Sequence, residues 1–211
     1  MSNYKAIIYD LDNTIFPADT ITMAVAQPLL DAIRKDSGNI LSPQLLEEAI
    51  ADCYKISIRD VAKKYCFSQH MLKEALKAFT TMQIDYQLHP YSDYNFIRQI
   101  PGIRFLVTSG NTYFQNLKIS NLGIKSDFQE IYIHDDEDSS FEGKLKIFQS
   151  IRNKYHLTNQ RVMVVGDNPS SEIAAGNKLK MTTVQILREG VLKSDSANFH
   201  ISSFMELKHL K

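Results

Sequence analysis

The chain has 211 residues, of which 44% are hydrophobic and 23% charged, a composition typical of a folded globular protein that excludes a disordered chain. Its 24 basic and 24 acidic residues cancel, so the charge balance predicts neither a nucleic acid polymer nor an anionic membrane as a partner. No apolar run is long enough to span a bilayer, and Met1 to Lys5 lack the layout of a secretory signal, so we expect a cytoplasmic protein. Cysteines occur only at Cys53 and Cys66, and in a reducing cytosol we expect them to be free thiols.

The first predicted element is a buried strand that ends in a pair of aspartates. Residues Ala6 to Tyr9 show no polar alternation, which is typical of a strand buried on both faces of a parallel sheet. The sequence Asp10-Leu11-Asp12-Asn13-Thr14 follows directly. One carboxylate can attack phosphorus while its neighbour exchanges protons with the leaving group and with water. The same pair in a turn is also explained by capping, so the motif alone leaves both interpretations open.

The next segment, residues 16–88, contains amphipathic helical patterns and no convincing strand. Helices are predicted to begin at Ser42-Pro43 and at Ser68, where serine is a favourable N-cap. Their apolar faces comprise Leu45, Leu46, Ala49, Ile50, Cys53 and Tyr54 in the first helix, and Met71, Leu72, Ala75, Leu76 and Phe79 in the second. A small helical unit with its own core accounts for these residues, so none of them is assigned to a ligand.

The remainder of the chain alternates strands with helices. The predicted strands are Ile103–Val107, Glu130–Ile133, Arg161–Val165 and Thr182–Leu187, and the predicted helices are Thr112–Asn121, Lys144–Tyr155 and Ser170–Leu179. This alternation predicts an α/β fold with a Rossmann-like parallel β-sheet flanked by helices, formed by residues 1–15 and 89–211, with residues 16–88 inserted as an all-helical domain. The acidic run at residues 135–138 is predicted to be a solvated loop, with a calcium site as the second interpretation.

A second acidic motif follows the fourth predicted strand, where Gly166-Asp167-Asn168 is succeeded by Glu172. Because the carboxyl ends of parallel strands converge at one edge, we expect Asp167 to lie near Asp10. Mg²⁺ would relieve the repulsion between them, held by both carboxylates and by the backbone carbonyl of Asp12. Glu172 is predicted to act through water or from behind the ligands, and the same supporting position is expected for Thr14 and Asn168.

Two further elements offer partners for an anion. Thr108-Ser109-Gly110 closes the second predicted strand and leads into a helix, which supplies a hydroxyl, N–H groups and a positive dipole end for phosphate. An ordinary N-cap turn is the alternative. Lys144 lies in the first turn of a predicted helix, where its positive charge opposes the helix dipole, which indicates a function. An ordinary surface lysine is the alternative interpretation, and Lys146 is close enough to be the functional lysine instead. Together, these elements could neutralise a transferring phosphoryl group.

The four elements, in this order, resemble the motifs of the haloacid dehalogenase superfamily, and the resemblance covers essentially the whole chain. It implies that Asp10 is the nucleophile, Asp12 the general acid and base, Thr108 and Lys144 the phosphate ligands and Asp167 a Mg²⁺ ligand. The helical insertion resembles the cap domain of that superfamily. Two departures are present: Glu172 replaces the usual second aspartate of the last motif, and no proline follows Lys144. The spacing from Lys144 to Asp167 is similar to that of cap-bearing members, which favours Lys144 over Lys146.

The substrate implied by the resemblance is a small phosphorylated metabolite. The segments Asp10–Pro17 and Leu88–Asn111 look like the pyrimidine 5'-nucleotidase branch of the superfamily, which implies a nucleoside 5'-monophosphate, with sugar phosphates or phosphoglycolate as alternatives. A phosphomutase would share every catalytic residue. Dehalogenases of the superfamily lack the second aspartate, which is present here as Asp12, and a catalytically silent regulatory relative would be expected to lose one of the aspartates retained here.

Overall fold

A parallel six-stranded sheet forms the centre of the computed structural model, which describes residues 4–38, 40–53, 57–135 and 142–210. The strands are β1 (Ala6–Tyr9), β2 (Ile103–Ser109), β3 (Glu130–His134), β4 (Val162–Gly166), β5 (Thr182–Ile186) and β6 (Phe199–Ile201). The helices are α1 (Met23–Ser37), α2 (Pro43–Asp52), α3 (Ile58–Lys64), α4 (Gln69–Ala78), α5 (Thr112–Leu122), α6 (Glu142–Lys154) and α7 (Ala174–Lys178). The predicted α/β fold is confirmed.

The strand order β3-β2-β1-β4-β5-β6 determines where a ligand can bind. From β1 the chain moves outward through β2 and β3, and then crosses to the opposite side of β1 to form β4. This reversal opens a crevice beyond the carboxyl ends of the strands, which is where open α/β sheets bind their ligands. Tyr9, the last residue of β1, pairs with Leu106 of β2 and Val165 of β4, so the residues that follow these three strands meet at the crevice.

The central strand is buried on both faces, as predicted. Ala6 and Ile8 pack with Phe148 and Ile151 of α6 on one face, and Tyr9 packs on the other face among residues that include Phe204. The Ala6–Tyr9 side chains are at most 1% exposed. Burying an isoleucine or phenylalanine side chain fully stabilises a fold by about 1.5–3 kcal/mol, so these layers fix β1 and with it the position of the residue that follows.

Helices α1 to α4 form a helical insertion between β1 and β2, and among its described residues no strand occurs. Its hydrophobic cluster comprises Leu29, Leu30, Ile33, Leu41, Ala49, Ile50, Ile58, Val61, Tyr65, Met71, Ala75, Ala78 and Met82. Three of its helices begin at serines, Ser42, Ser57 and Ser68, whose side chains accept hydrogen bonds from backbone N–H groups three residues on. Each such cap contributes about 1 kcal/mol. The limits of a separate domain at residues 16–88 stay a prediction.

Several sequence expectations need correction. Strand β6 was not predicted, because it has only three residues and lies at the edge of the sheet. The helix expected at Ser170–Leu179 begins earlier, as a π-helical turn at Pro169–Ile173, and continues as α7. On the predicted apolar face of α2, Leu45 is exposed, and Tyr54 lies outside the described residues. Of the acidic run only Asp135 is described, and residues 136–138 lie outside the described residues.

The cysteines and the helices were also the subject of expectations from composition. Cys53 and Cys66 are free thiols, as predicted. Within the described ranges, the helices are all too short or too polar to cross a bilayer.

Candidate active site

The turn after β1 places the first aspartate at the centre of the crevice. The backbone N–H of Asp10 donates to the carbonyl of Val165 at 3.0 Å, which ties it to β4. The carbonyl of Leu11 accepts from the N–H groups of Ile15 and Phe16 at 2.8 and 2.9 Å, so the chain reverses tightly. Asn13 has a φ of 53°, a left-handed conformation that asparagine tolerates better than most residues. The turn therefore follows from local backbone chemistry.

Acidic side chains from two strand ends converge beside one buried lysine. Carboxylate oxygens of Asp10, Asp167 and Glu172 all lie within 4.8 Å of one another, and we call these three residues the acidic cluster. The Lys144 Nζ donates to Asp10 Oδ1 at 2.6 Å and to Glu172 Oε2 at 2.8 Å. Asp10, Lys144 and Glu172 are buried. Lys146, the alternative lysine, is exposed, so the structure brings Lys144 and not Lys146 to the crevice.

Burial and mutual repulsion make the negative charges of the cluster unfavourable. Burial, together with the charges of Glu172 and Asp12, raises the pKa of Asp10 to about 7, even though Lys144 opposes the shift. Burial and the charges of Glu172 and Asp10 raise the pKa of Asp167 to about 8. Burial lowers the pKa of Lys144, but the Asp10 and Glu172 carboxylates outweigh it and raise that pKa overall. A single ammonium group therefore does not balance three carboxylates at this point of the structure.

Glu172 uses both of its oxygens to organise the site. Besides the bond from Lys144, its Oε1 accepts from the backbone N–H of Asn168 at 2.7 Å. Gly166 makes room for this side chain, since a Cβ at that position would lie 2.2 Å from Glu172 Oε1. The longer arm of glutamate thus reaches under the loop that carries Asp167. Asn168 itself is exposed and caps the following π-helical turn, accepting from Ser170 N at 2.9 Å.

Thr14 links the two acidic motifs by a hydrogen bond between their side chains. Its buried hydroxyl donates to Asp167 Oδ1 at 3.3 Å. Its backbone carbonyl accepts from Arg188 at 3.0 and 3.2 Å, and Arg188 also forms two bonds with the carboxylate of Asp93, at 2.9 and 3.0 Å. The sequence analysis missed this Arg188–Asp93 pair, because the two residues are distant in the chain and neither belongs to a motif.

The carboxyl end of β2 supplies a buried hydroxyl to the crevice. Thr108 is 1% exposed, and its Oγ1 accepts from Gln115 Nε2 at 2.9 Å. The carbonyl of Ser109 also accepts from Gln115. Gly110 requires a correction, because its N–H donates to the carbonyl of His134 at 3.0 Å and is therefore not available to a phosphate. Gly110 instead shapes the turn, with a φ of 135° that strongly favours glycine.

The second aspartate is held by two residues that the sequence analysis missed. Lys118 Nζ lies 2.7 Å from Asp12 Oδ1 and 2.6 Å from Oδ2, and Gln115 Nε2 donates to Oδ2 at 3.1 Å. Both Gln115 and Lys118 are buried, three residues apart on the face of α5 that also buries Ile119. The signal in the sequence is weak: Gln115 and Lys118 share the helical spacing of the apolar residues Ile119 and Leu122.

The crevice opens into a cavity of about 570 Å³ whose lining includes residues of the helical insertion. Asp10, Asp12, Thr108, Lys144 and Asp167 line one end. Apolar side chains and a few polar ones from the insertion line the other, including Leu29, Ser57, Ile58, Arg59, Asp60, Leu76, Phe79 and Met82. The volume falls within the range of about 300–1,000 Å³ that small-molecule sites occupy. The cavity therefore combines a charged floor with a largely apolar wall.

Similarity to a known protein family extends over most of the chain. A family model described as haloacid dehalogenase-like hydrolase matches residues 7–186. No curated protein sequence matches the chain.

Solved structures with the same fold include enzymes of different activities. A HAD phosphatase from Thermococcus onnurineus is 22% identical with a TM-score of 0.65, covering 97% of this chain and 96% of its own. The HAD hydrolase YfnB from Bacillus subtilis, solved bound to magnesium, is 14% identical with a TM-score of 0.61, covering 99% and 98%. The L-2-haloacid dehalogenase from Xanthobacter autotrophicus is 12% identical with a TM-score of 0.56, covering 98% of both chains. At these identities, the likeness shows a shared fold.

Proposed function

Because the chain belongs to the family of haloacid dehalogenase-like hydrolases, we propose that it is a magnesium-dependent phosphomonoesterase that acts through an aspartyl-phosphate on Asp10. The observation that carries the proposal is the acidic cluster with Lys144 at the floor of the cavity. A phosphoryl group needs positive partners around its oxygens and a nucleophile in line with the leaving group. Lys144, Thr108 and a bound cation would provide those partners around Asp10.

The donor set of the acidic cluster fits Mg²⁺. Carboxylate oxygens of Asp10 and Asp167 lie close enough to share one cation, and hard divalent cations prefer such oxygens. The raised pKa values of both groups indicate negative charge that Lys144 alone does not balance. Asp10, Asp167 and the backbone carbonyl of Asp12 would hold the ion, with Glu172 positioned behind them. When bound, Mg²⁺ would neutralise charge on the phosphoryl oxygens. The magnesium found in the related YfnB structure supports this assignment.

The proposed reaction has two displacements at phosphorus. In the first, a carboxylate oxygen of Asp10 forms a bond to phosphorus and the ester P–O bond breaks, while Asp12, entering this step as the protonated carboxyl group, gives its proton to the leaving alkoxide. In the second, a water oxygen attacks phosphorus while Asp12 accepts its proton. The bond to Asp10 then breaks, which releases inorganic phosphate and regenerates both aspartates. Lys144 and Thr108 bind the phosphoryl oxygens in both steps.

Phosphate transfer is favoured over dehalogenation by the second carboxylate. A halide needs no protonation as it leaves, whereas an alkoxide does. Here Asp12 lines the cavity and is 28% exposed, so a second carboxyl group is accessible to a leaving group bound next to Asp10. The same argument counts against a silent regulatory protein, since Asp10, Asp12 and Asp167 are all present at the crevice.

The proposed substrate is a small phosphorylated metabolite, and a nucleoside 5'-monophosphate is the first candidate. The apolar wall formed by side chains such as Ile58, Phe79 and Met82 suits the flat face of a base better than a short polar acid such as phosphoglycolate. Sugar phosphates remain the alternative, and a phosphomutase would need the same charged floor. We propose that the helical insertion acts as a cap, residues 16–88, and that the protein works in the cytoplasm.

A phosphomonoester panel tests the proposal. The purified protein should release inorganic phosphate from at least one nucleoside monophosphate or sugar phosphate with Mg²⁺, and an excess of chelator should stop turnover. Asp10→Asn should abolish release, whereas Asp85→Asn, at an exposed carboxylate away from the cavity, should not. Formation of a bisphosphate or an isomeric phosphate without net release would identify a phosphomutase instead. Turnover that survives complete metal removal would contradict the proposal.

A further inference from the structure

The two buried donors on α5 set the position of the Asp12 carboxylate. Lys118 is 6% exposed, and its Nζ contacts both oxygens of Asp12, while Gln115 Nε2 contacts one of them. Lys118 Nζ also lies over the ring of Phe114, 5.4 Å from the centroid, which adds a favourable cation–π contact to the ion pair. Burying a lysine is unfavourable unless it is paired, so the ion pair with Asp12 accounts for the buried position of Lys118.

The position of Asp12 differs from that of the other acidic residues at the crevice. Asp10, Asp167 and Glu172 bring their oxygens within 4.8 Å of one another, and Asp12 is not part of that group. Yet Asp12 is only two residues beyond Asp10 and lines the same cavity. A free carboxylate so near a divalent cation would be drawn in as another ligand, and a ligated carboxylate could no longer exchange a proton with a leaving group.

We infer that Lys118, assisted by Gln115, is a positioning residue that keeps the Asp12 carboxylate out of the acidic cluster and so reserves it for proton transfer. The pairing competes with the cation for the same oxygens. Asp12 nevertheless stays accessible, since its side chain is 28% exposed in the cavity while it contacts Lys118. This inference rests on the proposed function for the role of Asp12, but the position of the carboxylate can be tested without turnover.

Metal affinity tests the inference independently of catalysis. Titration calorimetry with Mg²⁺ on the purified protein should show binding at least about threefold tighter in Lys118→Met than in the parent, because a released Asp12 adds a carboxylate to the cluster. Lys118→Arg, which keeps a cation near Asp12, should bind Mg²⁺ like the parent. Lys73→Met on α4, at an exposed lysine, serves as the matched control and should change nothing.

A double-variant cycle identifies Asp12 as the group that moves. In an Asp12→Asn background, adding Lys118→Met should leave Mg²⁺ affinity unchanged, because no second carboxylate remains to be released. Equal tightening with and without Asp12, or weaker binding in the single variant, would overturn the inference. Thermal unfolding and circular dichroism establish that each variant is folded before it is titrated.

The choice of leaving group provides the kinetic test. Lys118→Met should lower kcat by about tenfold or more for an alkyl phosphate, whose leaving group needs a proton, and much less for an activated aryl phosphate. Lys118→Arg should recover most of the alkyl rate. Equal losses on both substrates would reject the positioning role even if the protein is a phosphatase. If no phosphomonoester is hydrolysed but the affinity cycle gives the expected result, the proposed function fails and the positioning of Asp12 stands.

Discussion

The floor and the wall of the cavity are built in different ways. At the floor, charged groups from separate parts of the chain are buried and bonded to one another, as when Lys144 bridges Asp10 and Glu172. In the wall, the helical insertion presents side chains such as Ile58 and Phe79 that make no directional bonds. Such a floor does not tolerate a substitution that leaves a buried charge without any partner, because an unpaired buried charge is strongly unfavourable. An apolar wall can be reshaped at lower cost, which suits a surface that selects substrates.

The largest effect is expected from the floor. Asp10→Asn should lower kcat at least about a thousandfold, because an amide cannot act as the nucleophile. The variant keeps the size of the side chain and removes a negative charge that the other carboxylates of the acidic cluster repel. Its melting temperature should therefore be at or above that of the parent. Phosphate release under saturating substrate measures the first quantity, and calorimetry the second. Activity within tenfold of the parent would remove Asp10 from the reaction.

A somewhat smaller loss should follow at the second aspartate, and it should depend on the substrate. Asp12→Asn should lower the rate on an alkyl phosphate by about 10²–10⁴-fold, the range typical of a lost general acid. On an activated aryl phosphate, the first step should be nearly unaffected, because that leaving group departs without a proton. Burst kinetics with the aryl substrate resolves the two steps. If the first step slows equally on both esters, Asp12 is not the proton donor.

Two ion pairs, Arg188–Asp93 in the sheet domain and Lys64–Asp52 in the insertion, should differ in how much they stabilise the fold. Partial burial raises the pKa of Asp93, but the bonds from Arg188 and the N–H of Phe204 lower it by more. Asp93→Ala should therefore destabilise the fold by about 2 kcal/mol at neutral pH, through loss of charged hydrogen bonds to a buried Arg188. The ion pair between the exposed Lys64 and the partly buried Asp52 in the insertion should contribute less, because Lys64 stays largely in water, so Lys64→Ala is the matched comparison.

The pH dependence of this effect has a definite sign. A carboxyl group whose pKa is lowered by folding stabilises the native state above its usual pKa and loses that contribution as pH falls. The difference in unfolding free energy between the parent and Asp93→Ala should thus shrink below about pH 4, the usual range of aspartate. Urea unfolding at several pH values measures it. A difference that grows on acidification would contradict the assigned pairing.

The smallest effect is expected in the wall. Phe79 lines the cavity and packs against Phe114, with ring centroids 6.0 Å apart. Phe79→Ala should raise KM about fivefold for a substrate with a large leaving group and leave kcat on a small phosphomonoester nearly unchanged, since no charged partner is lost. Met23→Ala, at a side chain that is 63% exposed, is the control. A comparable loss of kcat on both substrates would assign Phe79 to the chemistry and weaken the division between floor and wall.

The floor could be predicted from the sequence largely because strand ends fix it. Buried apolar runs identify strands, and a parallel sheet brings the residues after them to one edge, so the meeting of Asp10 with Asp167 needed no long-range information. Strand β6 escaped prediction because three residues carry too little periodicity to distinguish them from a loop. The early start of the helix after β4 depended on the cap that Asn168 supplies to a π-helical turn.

The partners of Asp12 and the shape of the wall required coordinates. Gln115 and Lys118 interrupt the apolar face of α5, but only the packing of α5 against the loop after β1 reveals that they point at Asp12. In the wall, amphipathic periodicity located the apolar faces without showing which residues turn toward the cavity. Leu45, predicted to be on the apolar face of α2, is exposed instead. Tertiary arrangement decides these contacts, and local pattern does not encode it.

The most direct test of the account is to trap the covalent intermediate. In the Asp12→Asn variant, Asp10 should still accept a phosphoryl group from an activated aryl phosphate with Mg²⁺. The aspartyl-phosphate should then be hydrolysed slowly, because no base remains to activate water. Acid quenching followed by peptide mass spectrometry should then find one phosphoryl group on the peptide that contains Asp10, and none when Asp10→Asn is added. A phosphoryl group on another residue, or stoichiometric release of the aryl alcohol with no modified peptide, would contradict nucleophilic attack by Asp10.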